Sequence, residues 1–199
     1  MGALLLIVAG IMRAFFVDVA IVGHNAMAPT IVSGEQVLVW TRSNIELGDI
    51  AICENPGTGV PYVVGRVIAT EGMNVSTNEQ RRVTVEGTVA SVQSEPSVEF
   101  YDRDTGITST MRTGIEKRGN TEHRFFLATN AFFEIRPRKV GAGRVYLLGD
   151  NRSFVGMDSR YVGDVEIDRC IGQVFMRLRT AEDDEANAHL GHAALDIIL

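Results

Sequence analysis

Lysine is scarce in this chain of 199 residues and occurs only at Lys117 and Lys139. Acidic residues outnumber basic ones by 25 to 19, and the formal net charge is −6 at pH 7. Because nucleic-acid-binding domains are normally basic, the composition gives no support for a nucleic-acid partner. The sequence also lacks internal repeats and a glycine-rich phosphate loop between a strand and a helix, which argues against a nucleotide site.

Cysteine and histidine are nearly as rare. Cys53 and Cys170 are the only thiols. An oxidising compartment would allow them to pair, and buried free thiols fit the sequence equally well. His189 and His192 could share one face of a helix, but two histidines without further ligands are a weak metal signal. The sequence therefore predicts no metal and no other cofactor.

The N-terminal apolar run is too short by itself to span a membrane. Residues 3–12 are uninterrupted and apolar, but Arg13 and Asp18 follow closely. A spanning helix needs about 20 apolar residues, so residues 2–22 suffice only if Arg13 reaches toward an interface. A cleaved signal peptide would normally begin with basic residues, and none precedes this run. A membrane anchor, a buried helix and a cleaved peptide are the three readings of the segment.

Beyond residue 22 the chain consists of short segments rich in valine and isoleucine, bounded by glycine, proline or asparagine. Such segments are typical of β-strands, and no long helical period appears before the tail. This pattern predicts an all-β sandwich or a partly open barrel. Residues 102–120 are expected to form exposed hairpins or loops. The predicted strands are 36–40, 49–53, 62–68, 82–89, 143–148 and 171–178.

Two polar boxes follow the apolar run 145–148. A strand that leads into such a turn brings carboxylates and guanidiniums together, and these groups pair through two hydrogen bonds. Taken alone, the first box could also be an ordinary surface turn. The boxes contain Gly149, Asp150, Asn151 and Arg152, and then Asp158, Ser159 and Arg160.

These boxes resemble the Gly-Asp-Asn-Arg and Asp-Ser-Arg boxes of type I signal peptidases, the membrane-anchored serine proteases of peptidase family S26. The family's other segments are found in the same order: Arg13-Ala14-Phe15 with Asp18 and Val22, then Ala26-Met27-Ala28-Pro29-Thr30, Gly48-Asp49-Ile50 and Gly65-Arg66-Val67-Ile68. The resemblance covers most of residues 10–178, and the stretch 76–130 matches only loosely.

The resemblance places Ala26 at the position of the nucleophilic serine and Gly65 at that of the general-base lysine. A serine hydroxyl attacks only when a base takes its proton, and a lysine can be that base only when burial lowers its pKa. Ala26 has no oxygen and Gly65 has no side chain, while neither lysine of the chain lies near a box. Catalysis is therefore predicted to be lost.

Neighbouring residues do not restore the missing chemistry. His24 occupies the family's oxyanion-hole position, where an imidazole could donate, but a solvated loop histidine is the simpler reading. The hydroxyls of Thr30 and Ser33 are expected to bond backbone in a turn. Between Arg152 and Asp158 the loop also holds one residue more than the family pattern.

The resemblance implies that other residues support a site or bind a peptide. An extended peptide would add a strand to a sheet edge, with apolar pockets for its side chains, although the valines in question could also be ordinary core residues. The peptide-binding positions are Val22, Met27, Pro29 and Val64, and the supporting ones are Arg66, Asp150, Asn151, Arg152, Asp158, Ser159 and Arg160.

The resemblance also implies an organisation and a location. It favours the anchor reading, with the folded domain on the outer or periplasmic face of the cell membrane. The expected parts are an anchor at 1–22, whose N-terminal portion could be incomplete, a β core at 23–75 and 131–178, an inserted variable β region at 76–130, and a tail at 179–199 that could be helical from an N-cap at Thr180.

Two functions follow from the sequence. The first is an inactive signal-peptidase-like membrane protein that binds extended, signal-peptide-like segments during secretion or surface assembly. Its candidate partners are the membrane, the exported peptide, and an active signal peptidase or another secretion component. The alternative is an active type I signal peptidase that cleaves signal peptides. The residues at positions 26 and 65 discriminate between the two.

Overall fold

The computed structural model describes residues 10, 16–55, 59, 61–181 and 185–198, and these are mainly β, as the sequence predicts. The strands are β1 (Val17–Ile21), β2 (Gln36–Trp40), β3 (Ile50–Glu54), β4 (Tyr62–Thr70), β5 (Asn74–Thr77), β6 (Val83–Val85), β7 (Thr88–Val89), β8 (Ser91–Asp102), β9 (Ile107–Arg118), β10 (Thr121–Ala128), β11 (Arg138–Lys139), β12 (Arg144–Leu148), β13 (Val165–Glu166), β14 (Cys170–Arg179) and β15 (Asp196–Ile197). The helices described are α1 (Ser159–Val162) and three 3-10 segments, Asn25–Met27, Ile167–Arg169 and Glu185–Leu190.

The largest sheet is antiparallel and has eight strands, and its strand β4 contains the segment Gly65-Arg66-Val67-Ile68. Its order is β1-β2-β14-β3-β4-β12-β13, and β15 pairs with β14. Branched aliphatic residues of β2, β3 and β4, among them Val39, Ile52 and Val64, form one continuous buried cluster. Such residues fill a pleated, half-buried surface well, which explains why these strands could be read from the sequence.

A disulfide joins two neighbouring strands of this sheet. Cys53 on β3 and Cys170 at the start of β14 are paired in register and bonded to each other. The sequence left a disulfide and free thiols equally open, and the structure has the disulfide. The bond links positions that are 117 residues apart in the chain.

Two smaller sheets lie in the middle of the chain. β8, β9 and β10 form one in the order β10-β9-β8, and β11, β5, β6 and β7 form the other. The sequence suggested exposed hairpins or loops for 102–120, and the structure has hairpins there: β9, a strand of 12 residues, pairs with β8 on one side and with β10 on the other. A single strand predicted at 82–89 is instead a hairpin. Glu86 and Gly87 both have positive φ, 50° and 73°, as a tight two-residue turn requires.

The chain ends differ from the predicted anchor and tail. β1 takes up residues 17–21, the end of the anchor predicted at 1–22, and residues 1–9 and 11–15 lie outside the described part. No helix among the described residues is both long and apolar enough to cross a membrane. In the tail, the 3-10 segment begins at Glu185, not at Thr180, and it ends at Leu190, so His189 and His192 do not share a helical face.

Candidate functional site

The box Ala26-Met27-Ala28-Pro29-Thr30 begins in a buried 3-10 turn, Asn25–Met27, which follows β1. Ala26 is 2% exposed and Met27 is fully buried. His24 caps the turn, because its Nδ1 accepts a hydrogen bond from the Ala26 amide at 3.3 Å. A neutral ring that accepts at Nδ1 carries its proton at Nε2. Burial lowers the pKa of His24, against a smaller raising effect of Asp104, so the neutral ring is favoured at neutral pH.

The Gly-Asp-Asn-Arg box, residues 149–152, is hydrogen-bonded to the backbone of that turn. The Asn151 amide donates to the Ala26 carbonyl at 3.0 Å, and the Asn151 side chain donates to the Asn25 carbonyl at 3.1 Å. A Cβ atom on Gly149 would lie 2.6 Å from the Ala26 oxygen, so only glycine fits there. The Gly-Asp-Asn-Arg segment therefore lies directly against the turn that contains Ala26.

Gly65 lies in the middle of β4, against which the 3-10 turn also packs. A Cβ atom at Gly65 would lie 2.9 Å from Leu147 Cβ and 3.4 Å from the Leu148 amide nitrogen. Leu147 is fully buried and its Cβ is fixed to the backbone of β12, so it cannot turn away. The position that the resemblance assigns to a lysine is thus a glycine whose neighbours leave too little space for a Cβ atom.

Asp150 and Arg66 form the centre of the site. Both are almost completely buried, and Arg66 donates from Nε and Nη2 to the two carboxylate oxygens at 3.0 and 2.8 Å. Thr30 donates its hydroxyl to the same carboxylate at 2.5 Å, and Arg66 Nη1 reaches the Gly48 carbonyl at 2.8 Å. Burial by itself would raise the pKa of Asp150, but the Arg66 charge and these hydrogen bonds hold it below its usual value.

The Thr30 contact corrects one expectation and shows how the boxes are connected. The sequence suggested that the hydroxyls of Thr30 and Ser33 bond backbone. Instead, Thr30 bonds Asp150 and the Ser33 hydroxyl donates to Asp104 at 3.0 Å. A buried carboxylate is a stronger acceptor than a carbonyl, which accounts for the Thr30 contact.

The Asp-Ser-Arg residues, 158–160, stabilise the Gly-Asp-Asn-Arg turn through hydrogen bonds to its backbone and to the end of β12. Asp158 accepts from the Gly149 amide at 3.1 Å, and the Ser159 hydroxyl accepts from the Leu147 amide at 2.9 Å. Arg160 pairs with Asp158 at 2.8 Å and donates to the Arg152 carbonyl at 2.7 Å. The extra residue in the loop therefore does not separate the two boxes.

A second buried network adjoins the first, and sequence reasoning missed it. Arg152 pairs with Glu116 of β9 at 3.2 Å, rather than with an aspartate of the boxes. His123 of β10 lies 3.2 Å from Arg152 Nη2 and 3.7 Å from Asp150 Oδ1. Burial lowers the pKa of His123 to about 4, so the ring is neutral at pH 7. Glu116 and His123 lie within residues 76–130, the stretch that matches the family only loosely and in which no motif identified them.

An apolar groove opens beside the turn. Its cavity of about 430 Å³ is bordered by β1 and includes Val22, His24 and Val64, together with Ile52 and Tyr62. Among the described strands, β1 lies at the end of the sheet order, so one side of the groove is a sheet edge within this part of the chain. Two of the predicted peptide-binding residues do not line this cavity: Met27 lies in the core, and Pro29 faces the tail.

The family model described as "Signal peptidase, peptidase S26" matches residues 1–179 of the chain. The chain belongs to the signal peptidase family, peptidase S26. A search among curated proteins found no match. Among solved structures, the chain is similar to the crystal structure of a signal peptidase I from Enterococcus faecalis, with 20% identity and a TM-score of 0.41 over 66% of this chain and 97% of that chain.

Buried polar contacts fix the backbone of the turn that contains Ala26. The ion pair of Arg66 with Asp150 and the bonds of Asn151 hold the turn in place. Ala26 in this turn carries only a methyl group and Gly65 in β4 carries no side chain; both are buried, and neither lines the cavity described above. The groove also contains polar groups: the Nε2–H of His24 can donate a hydrogen bond to a peptide, and Asp18 and Tyr62 line the same cavity.

Proposed function

We propose that this signal peptidase family member is catalytically inactive and binds extended, signal-peptide-like segments at the outer face of the cell membrane. The observation that carries the proposal is the pair of positions 26 and 65. Ala26 supplies no nucleophile, and Gly65 supplies no base and leaves no room for one. Cleavage and binding depend on different groups, so loss of the first leaves the second intact.

The groove supplies what binding requires. Val22, Ile52 and Val64 form an apolar wall that fits small aliphatic side chains, and β1 offers an edge to which an extended backbone can pair. His24 adds one donor for a peptide carbonyl, since its proton lies on Nε2. A short apolar peptide therefore finds both main-chain and side-chain partners here.

The proposed location rests on the family and on the disulfide. Signal peptidases act on exported chains, and a bond between Cys53 and Cys170 is stable in an oxidising compartment. We propose the outer face of the cell membrane on this basis, with an anchor within residues 1–22. An active signal peptidase or another secretion component is the proposed partner that would receive the bound peptide.

Binding is tested with the purified full chain and a fluorescent synthetic signal peptide, followed by anisotropy. Ile21 borders the groove and is 68% exposed, so Ile21→Asp should weaken binding without disturbing the core. Ile107→Asp is the matched control, because Ile107 is 59% exposed on β9 and lies outside the groove. Equal affinities for the two variants would contradict the proposed groove, and cleavage of the peptide would favour the active-protease alternative.

A further inference from the structure

We propose that the C-terminal tail clamps the Pro29–Thr30 segment through a protonated His192, so that docking of the tail, and with it the geometry of the box, depends on pH. The tail lies beyond residues 1–179, which the family model matches. The inference concerns regulation of the groove, and its peptide-binding arm rests on the proposed function.

The ring of His192 lies between two hydrogen-bond acceptors. Its Nδ1 is 2.8 Å from Glu35 Oε1, and its Nε2 is 2.6 Å from the carbonyl oxygen of Pro29. A carbonyl oxygen can only accept, and so can an ionised carboxylate. A neutral imidazole has a single N–H and can satisfy one of them. Both contacts form only when the ring carries two protons, that is, as an imidazolium.

The surroundings of Glu35 favour its ionised form. Glu35 is fully buried, and its Oε1 lies 2.8 Å from Arg177 Nε. Its Oε2 accepts a hydrogen bond from the Val32 amide at 3.1 Å, which a protonated oxygen would accept less well. A buried guanidinium keeps a neighbouring carboxylate charged, so Glu35 is an acceptor for His192 and not a donor.

The charged groups around the ring of His192 also favour its protonated, cationic form. Arg177 is shared between Glu35 and Asp196, with Asp196 Oδ2 at 3.1 Å from Nη1. Arg124 and His192 line one cavity, but the guanidinium of Arg124 is paired with Glu95 at 2.7 Å. Two carboxylates therefore face one available guanidinium, and protonated His192 balances them. His189, on the same tail, is exposed and is not part of this group.

Docking of the tail reaches the site through the backbone of the box. His192 binds the Pro29 carbonyl, and Arg177 Nη2 donates to the Thr30 carbonyl at 2.6 Å. Thr30 is the residue whose hydroxyl binds Asp150. Ile198, at the end of the tail, packs in the same core cluster as Val22 and Met27. Release of the tail would free one carbonyl of the segment and open this cluster, so His192 is a positioning residue for the groove.

The sign of the pH dependence follows from the protonation state. A contact that requires the imidazolium is present while the ring carries both protons and is lost when rising pH removes one of them. Charge-assisted hydrogen bonds are worth more than neutral ones. The tail should therefore be docked at acidic pH and open more often at alkaline pH.

The test is nuclear magnetic resonance on the full chain labelled with ¹⁵N, with and without His192→Gln, and with His189→Gln as matched control. Ring nitrogen shifts report whether His192 carries both protons. Protection of the Ile198 amide, which donates to the Phe175 carbonyl, reports docking after correction for intrinsic exchange. We expect both ring nitrogens to be protonated at low pH, and protection to fall about tenfold or more on raising the pH, the size of one lost charged hydrogen bond.

In His192→Gln, protection should be low at every pH, while His189→Gln should follow the parent chain. A neutral His192 ring in the docked tail, or protection that does not change with pH, would overturn the clamp. Peptide affinity is measured in parallel and should fall with protection. Affinity that stays constant while protection falls would overturn the link to the groove. Absence of binding at every pH would defeat the proposed function, while the protection data would still decide the clamp.

Discussion

Arg66 and Asp150 form a buried ion pair through two hydrogen bonds, although they are 84 residues apart in the chain. Arg66 directly follows Gly65, the position at which the family has its base, and Asp150 binds Thr30 of the box that lacks its serine. The pair thus links the segment from Ala26 to Thr30 to strand β4, which carries Gly65.

Breaking this pair should destabilise the fold strongly. Arg66→Met leaves the Asp150 carboxylate buried without its partner, which we expect to lower the free energy of unfolding by about 3–5 kcal/mol. Adding Asp150→Asn should recover part of that loss, because the remaining group is no longer charged. Chemical denaturation of the two variants measures both effects. A loss below about 1 kcal/mol in Arg66→Met would mean that the pair is not buried as described.

The acid stability of the chain should reflect His123. Its pKa is lowered to about 4 in the folded chain, mainly by burial, whereas an unfolded histidine titrates near its usual value of about 6.5. The unfolded chain therefore binds more protons between these two values, and stability should decrease as the pH falls through this window, by at most about 1.4 kcal/mol per pH unit.

In His123→Gln this part of the pH dependence should disappear, and His189→Gln should retain it. Asp150, whose pKa is lowered, acts in the same direction at more acidic pH, where its protonation removes the ion pair with Arg66. Unfolding curves recorded at several pH values separate the two contributions. Identical profiles for His123→Gln and His189→Gln would show that His123 is not buried as a neutral ring.

The close approach at Gly149 should make that position intolerant of any side chain. Gly149→Ala places a methyl group 2.6 Å from the Ala26 carbonyl oxygen, and we expect a loss of about 1–3 kcal/mol. Gly23→Ala is the control, because nothing lies within 4 Å of its added Cβ atom. Thermal unfolding of both variants is the measurement. If the two substitutions cost the same, the contact between the boxes is looser than described.

Restoring the family's two groups should not restore an efficient enzyme. Ala26→Ser together with Gly65→Lys supplies a nucleophile and a base, but the lysine Cβ would start 2.9 Å from Leu147 Cβ. We expect at most trace cleavage by the double variant, none by either single variant, and a lower thermal stability wherever Gly65 is replaced. Rapid turnover by the double variant would show that β4 adapts to a lysine.

The sequence predicted the strands with simple apolar patterns and the pairing of the two polar boxes. The run 36–40 coincides with β2, and the carboxylates of Asp150 and Asp158 do pair with arginines. The strand and the pair of Asp158 with Arg160 depend on local signals: side-chain alternation within a strand, and opposite charges two residues apart. Asp150 pairs instead with Arg66 of β4, which is 84 residues away.

Other parts could not be predicted because their signals are not local. β8 and β9 are polar along much of their length and are defined by pairing with each other, not by an apolar period. The partner of Arg152 is Glu116, 36 residues away on a strand that no motif identifies. Likewise, the space at Gly65 is limited by Leu147 of β12, which only the folded register brings beside it.

The proposal that this chain binds signal peptides without cleaving them is tested most directly with the purified, unmodified chain. The chain is incubated with a precursor that carries a signal peptide, and mass spectrometry detects any cleavage. Binding of the isolated signal peptide is measured separately. We expect the precursor to remain intact and the peptide to bind saturably. Cleavage at the signal-peptide junction that disappears in Thr30→Val or Ser33→Ala would contradict the proposal, because it would identify another hydroxyl as the nucleophile.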